Sequence, residues 1–365
     1  MEAEAVSRVW RSISLDNLLI GQLAIFRADA NRSIGGGHIM RCLALADALV
    51  ERGWRCAFAV SAETMATVPH LKRAQHDIHI LSAVEEGDPA ALLSTATEGC
   101  QLLVIDHYKI GAHYEAGCRS LTRQILVIDD LADRAHDCDL LLDQNLGRDP
   151  LDYDGLVPAS ARVLTGPQFA LLRPEFAAAR SAGLARRQPG TRVRRILVTL
   201  GLTDLGGITA RVVRAALAAD TGAMLDVVID ERAQSLPYLR SVESSSVTLH
   251  FDPNNMCQLM TEADLAIGAA GSTSWERCCV GLPTILLVLA DNQRFVARSL
   301  AKAGAVKLLE NTGDLELRLT AALRELSQSE ALRLSLVRTS AQVTDGLGAK
   351  RLAERVTRQD QFLSA

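Results

Sequence analysis

The chain has 365 residues, 48% of them hydrophobic and 4% aromatic, with 39 Lys and Arg against 43 Asp and Glu for a formal charge of −4. That length exceeds one ordinary core and suits two domains of about 150 to 200 residues each, while the apolar content excludes a disordered chain. The small negative balance leaves no basic field for a nucleic-acid backbone or an anionic membrane.

Taken in order, residues 1–22 carry three acidic groups and no apolar block ending in small residues. They read as an N-terminal extension, not as a signal peptide or anchor. Short apolar runs then alternate with helical patterns: QLAIF, MRCLALADALV, CAFAV, DIHIL, LLVID, ILVIDD and DLLLD. Such alternation predicts a parallel sheet with crossover helices. A second series of the same kind starts at RRILVTLG and runs through ITARVVRAALAAD, MLDVVI, VTLHF, DLAIG, TSWERCCVG and PTILLVL. Between them LLRPEFAAARSAGLARRQPGTRVRR lacks strand periodicity and marks a helix and linker. The expected domains are 23–180 and 190–365, with the boundary near 175–192, and ALRELSQSEALRLSLVRTSAQV predicts further helices on a sheet face. The longest apolar run is about ten residues, short of the roughly twenty that cross a bilayer. Eight cysteines (42, 56, 100, 118, 138, 257, 278 and 279) show no CxxC spacing, which points to a cytoplasmic protein without a zinc site.

Each half has one glycine-rich turn from strand to helix. In the first, Gly35, Gly36 and Gly37 precede His38 at a helix start. The glycines admit close approach of a ligand, or simply form a tight turn. His38 at the mouth of this turn either meets that ligand or caps the helix and packs locally. The spacing fits neither GxxxxGK[ST] nor GxGxxG. In the second turn, the N–H groups and hydroxyls of Gly271, Ser272 and Thr273 suit a diphosphate, and Glu276 suits ribose hydroxyls. An ordinary cap with Glu276 complementing the helix dipole is the competing reading.

The order of RADANRSIGGGHIMRCLALA, VIDHY, IDD, CDLLLDQN, DYDGLVP, GPQFALLRPEF and GAAGSTSWE resembles the UDP-2,4-diacetamido-2,4,6-trideoxy-β-L-altropyranose hydrolases of pseudaminic acid biosynthesis, over about residues 24 to 300. The second half also resembles the N-acetylglucosaminyltransferase of peptidoglycan synthesis. This likeness implies an α/β protein of two Rossmann-like domains in the glycosyltransferase-B (GT-B) arrangement, with a cleft between them. It further implies release of UDP from a UDP-sugar by water attack at the anomeric carbon, with inversion and with neither metal nor cofactor. By motif, His38 matches the general base, an imidazole suited to deprotonating water whose pKa the helix N-terminus is expected to lower and keep neutral, and Tyr108 and Asp29 match positions near the sugar. Gly35, Gly36, Gly37 and Arg41 join the substrate side, while Gly271, Ser272, Thr273 and Glu276 hold UDP. The partner is a small molecule, with no nucleic acid and no membrane span; oligomeric state and sugar stereochemistry stay open.

Several residues keep two readings. His107 and Tyr108 either face the sugar or edge the core, Asp129 and Asp130 either orient His38 or cap a turn, and Trp275 either covers the nucleotide or plugs the domain interface. Cys42 is expected to pack. Leu202 stands where the family usually has glycine, with Thr203 and Asp204 retained, and Trp275 stands where some members have Asn. A glycosyltransferase of the same fold and a non-catalytic nucleotide-sugar binder are the alternatives.

Overall fold

A computed structural model describes residues 22–363 apart from 32–33, 82–87, 97–98 and 202–203. The expected extension up to residue 21, and Leu202 and Thr203, lie outside the described residues. The first domain holds seven strands: β1 (Leu23–Ala28), β2 (Arg55–Val60), β3 (Asp77–Ile80), β4 (Cys100–Asp106), β5 (Thr122–Ile128), β6 (Leu140–Asp143) and β7 (Arg162–Thr165). All pair in parallel, in the order β3-β2-β1-β4-β5-β6-β7. The central strands are unbroken apolar runs because both faces are covered. Phe26, Val104 and Leu126 pack under the helix Gly37–Val50, while Ile25, Leu103 and Ile125 form a second core on the opposite face. The register pairs Phe26 with Phe58, whose rings stack at 4.9 Å.

The second domain repeats the plan with β8 (Arg195–Thr199), β9 (Met224–Ile229), β10 (Val247–Phe251), β11 (Leu265–Ala269), β12 (Thr284–Val288) and β13 (Lys307–Glu310). Their order is β10-β9-β8-β11-β12-β13, again parallel. In both sheets the order reverses beside the first strand, between β1 and β4 and between β8 and β11. In open α/β sheets that reversal opens a crevice at the carboxyl ends of the strands. His38 and the 271–273 turn each stand at one of the two crevices.

Two segments cross between the domains. The linker forms the helix Pro174–Arg186, started by a proline whose missing N–H costs nothing in the first turn. Phe176 of this helix packs in the second domain's core, and Arg187 ends it by donating to the carbonyls of Gly183, Val280, Met260 and Ala263. The last helix, Gly348–Leu363, returns: Ala349, Leu352, Ala353 and Val356 are buried in the first domain's core. The expectation of a second domain reaching residue 365 therefore differs from the packing. The apolar stripe of this helix finds its partner on the helix Gly37–Val50, across the linker.

Candidate functional site

The loops after β1 and β4 and the start of the helix Gly37–Val50 build the first half of the site. Gly35 has φ +74°, a conformation side chains resist, and Gly36 caps the helix. His38 in the first helical turn is buried, with Nδ1 2.7 Å from Asp106 Oδ1 and 3.1 Å from the Asp106 carbonyl. Asp106 ends β4 with no exposed surface and receives Arg41 Nε at Oδ2 and Arg41 Nη2 at Oδ1, both at 2.6 Å. Burial opposes its charge, but Arg41 and His38 outweigh burial and hold the carboxyl well below the usual range. As an ionised acceptor it receives a hydrogen bond from the Nδ1–H, so His38 presents Nε2 as the basic nitrogen.

One expectation is corrected here. Burial does disfavour the imidazolium, as a helix N-terminus would, yet the adjacent Asp106 charge prevails and His38 is raised above the ordinary imidazole value. Asp106, which the sequence reading passed over, is the group that orients His38. Asp129 instead caps a turn, accepting from the N–H groups of Leu131 and Ala132 and from Tyr153 Oη, while Asp130 accepts from Arg41 Nη1 at 3.0 Å.

Tyr108 meets His38 edge to face, with centroids 4.5 Å apart. Its hydroxyl accepts from Asn292 Nδ2 of the second domain at 3.0 Å and points toward Asp130 at 3.5 Å. Burial and the Asp130 charge push this phenol well up, so it stays protonated. Asp29 is differently placed: Oδ1 accepts from the Ser61 N–H at 2.6 Å and from Thr64 Oγ1, and Oδ2 pairs with Arg27 at 2.7 Å, with His107 at 3.5 Å. Burial works against its charge, and Arg27 and the Ser61 N–H overcome it, lowering its pKa. Its carboxylate thus anchors the loop after β1. Cys42 packs in the core as expected, with its thiol toward Asp106.

The second half follows β11. Gly271 and Ser272 lead into the helix Thr273–Cys279. Trp275 is buried in the core cluster that holds Phe176, Cys278 and Cys279, so its ring fills this domain's own core. Glu276 faces Arg173 Nη2 at 3.7 Å; burial pushes its carboxyl up to about 6 against the pull of Arg173 and Arg277. Arg277, buried beneath the turn, donates to Thr273 Oγ1, Ser274 Oγ and the Ala269 carbonyl, and burial lowers it to about 10. Gly268 leaves room for that guanidinium, which a Cβ there would meet at 2.5 Å. Asp204 adopts φ 39° and spends its carboxylate on the N–H groups of Thr209 and Ser235, so it braces the turn after β8.

The two halves meet. A Cβ on Gly37 would lie 3.2 Å from Ser272 Oγ, so the third glycine is needed for approach of the opposite domain. His38, Tyr108 and Arg41 are brought together on one side, and Gly271, Ser272, Thr273 and Glu276 on the other. Arg173, Arg277 and Asn292 join them without having been singled out by motif. Among the described residues all eight cysteines are unpaired and buried, no cluster of three or more His, Cys, Asp or Glu could hold a metal, and no helix is long and apolar enough to cross a membrane.

Two parallel-sheet domains, each turning a glycine-rich strand-to-helix connection toward the other, define a two-domain α/β fold of the GT-B type. Residues 230–356 match the glycosyltransferase family 28 C-terminal domain. The chain is similar to the UDP-2,4-diacetamido-2,4,6-trideoxy-β-L-altropyranose hydrolase of Campylobacter jejuni, with 26% identity over 286 residues, 77% of this chain and 96% of that protein. Its fold is similar to the crystal structure of Acinetobacter baumannii MurG, at 16% identity and TM-score 0.61, covering 92% of this chain and 99% of the other. The S. aureus MnaA–UDP co-structure gives TM-score 0.62 at 12% identity, covering 94% and 98%.

Proposed function

We propose that the chain hydrolyses a UDP-2,4-diacetamido-2,4,6-trideoxyhexose, as its Campylobacter jejuni relative is named for doing. The observation that carries this reading is the His38–Asp106 pair standing where the first glycine turn meets Ser272. Asp106 keeps the Nδ1 proton in place and Nε2 accepts a proton from water. The water oxygen bonds to the anomeric carbon as the bond from that carbon to the diphosphate oxygen breaks, and UDP leaves with the electron pair. Attack from the face opposite UDP inverts the carbon. N–H groups of 271–273 hold the departing diphosphate, and Glu276 accepts from ribose hydroxyls. Tyr108 and Asn292 close the rim on the sugar side.

Incubation with UDP-sugars and no acceptor, in ¹⁸O water, tests the proposal. Stoichiometric UDP release with the label in the free sugar supports it; label in UDP, or no turnover until an acceptor sugar is added, overturns it. Transfer is the second reading, favoured by the match of residues 230–356 to a glycosyltransferase domain, and the acceptor-dependent outcome would establish it.

A further inference from the structure

Resemblance puts Arg41 on the substrate side, yet the structure gives its guanidinium other work. Three residues beyond His38, Arg41 lies on the same face of the helix and is 5% exposed. Its Nε and Nη2 form a two-pronged fork on Asp106, and its Nη1 reaches Asp130 Oδ2. Of these three accepting oxygens, one on each carboxylate is shared with a neighbouring ring. Asp106 Oδ1 also holds His38 Nδ1 at 2.7 Å, and Asp130 Oδ2 is the oxygen 3.5 Å from the Tyr108 hydroxyl. One buried cation therefore fixes the two carboxylates that address His38 and Tyr108.

We infer that Arg41 is a positioning residue for His38, holding Asp106 in the plane that aims Nε2 into the cleft and balancing the charge of the buried cluster. With a neutral imidazole, Asp106, Asp130 and Arg41 leave one net negative charge; when His38 takes a proton the cluster is neutral. Proton uptake by the imidazole is thereby favoured. The groups facing His38 are Arg41 and Cys42 from its own helix, Asp106 and Tyr108 from the end of β4, and Asp130 from the end of β5. Across the cleft, uncharged Ser272 lies beside Gly37. Arg41 is the one cation among them, and its charge pulls the imidazole downward against the two carboxylates. The fork is specific to a guanidinium, since a lysine ammonium supplies charge without two parallel donors.

The test combines an NMR titration of the His38 imidazole in the free full-length protein with steady-state kinetics; only the kinetic part rests on the hydrolase reading. Arg41→Gln should move the His38 midpoint upward, and Asp106→Asn should move it downward. Arg41→Lys, which keeps the charge, should leave the midpoint near wild type while kcat falls about tenfold to a hundredfold through misplacement, with KM within about twofold. An unmoved midpoint in folded Arg41→Gln overturns the inference. So does a raised KM and UDP Kd with kcat intact in Arg41→Lys, which would make Arg41 a substrate ligand. Should Arg41→Gln fail to fold, the kcat and KM of Arg41→Lys decide alone. If wild-type protein releases no UDP, the hydrolase reading fails and the titration judges Arg41 by itself.

Discussion

Gly37 and Ser272 face each other across the two domains so closely that a methyl group on Gly37 would sit 3.2 Å from the serine hydroxyl. The contact places the start of the His38 helix against the proposed diphosphate turn. Gly37→Ala should lower kcat several-fold, because the neighbour must yield by a few tenths of an ångström, and Ser272→Ala should restore part of that loss in the double variant. A double-mutant cycle on kcat/KM gives the coupling; strict additivity would mean that the two turns are not held together during turnover.

His38→Ala should cut kcat by about 10² to 10⁴ while leaving UDP affinity nearly intact. The UDP contacts proposed here come from the other domain, so calorimetry with UDP separates the two effects. Retention of more than about a third of wild-type turnover would assign the base to another group. Asp106→Asn should fall in the same direction, since an amide can hold the wrong tautomer of the imidazole.

The pH dependence has a definite sign. Burial lowers His38 but Asp106 raises it further, so the neutral imidazole required of the proposed base is lost as pH falls through a value above the ordinary 6.5. The acid limb of kcat/KM should therefore lie above the ordinary 6.5, and Asp106→Asn should bring it down. A limb at or below the ordinary value in wild type would contradict the pairing.

Glu276 gives a stability test free of any activity. Burial raises its carboxyl from 4.5 to about 6, so the folded protein holds this proton more tightly than the unfolded chain. Stability then falls as pH rises from about 4.5 through about 6. Glu276→Gln should consequently stabilise the free protein above pH 6, by on the order of 2 kcal/mol, and change little at pH 4.5. UDP binding should weaken roughly tenfold in the same variant, through loss of a charged acceptor for ribose. Equal melting shifts at both pH values would show that Glu276 is not strained by burial.

The sequence carried the strands well because each is buried on both faces and reads as a short unbroken apolar run, ILVID or LLVID, between turn signals. The two glycine turns were legible for a similar reason: they join strand to helix, a local event. Partners were not. Asp106 lies 68 residues from His38, and only the β1–β4 pairing that the sheet order creates brings them together. Asp129 and Asp130 looked equally eligible at the end of the next strand. Arg173 and Arg277 were hidden as linker and helix residues, since nothing in LLRPEF or SWERCC tells that one guanidinium will face Glu276 and the other will be buried beneath the turn.

The last helix, Gly348–Leu363, docks on the first domain, so the chain passes between the domains twice, once near Leu172 and again near Asp345. The passages touch: Gly348 abuts the backbone of Phe169 and Ala170, and Gly346 abuts Ala177. Two adjacent crossings tie the domains together like a double stitch, where one crossing would be a single thread, and a chain cut before residue 348 would lose the second stitch along with part of the first core.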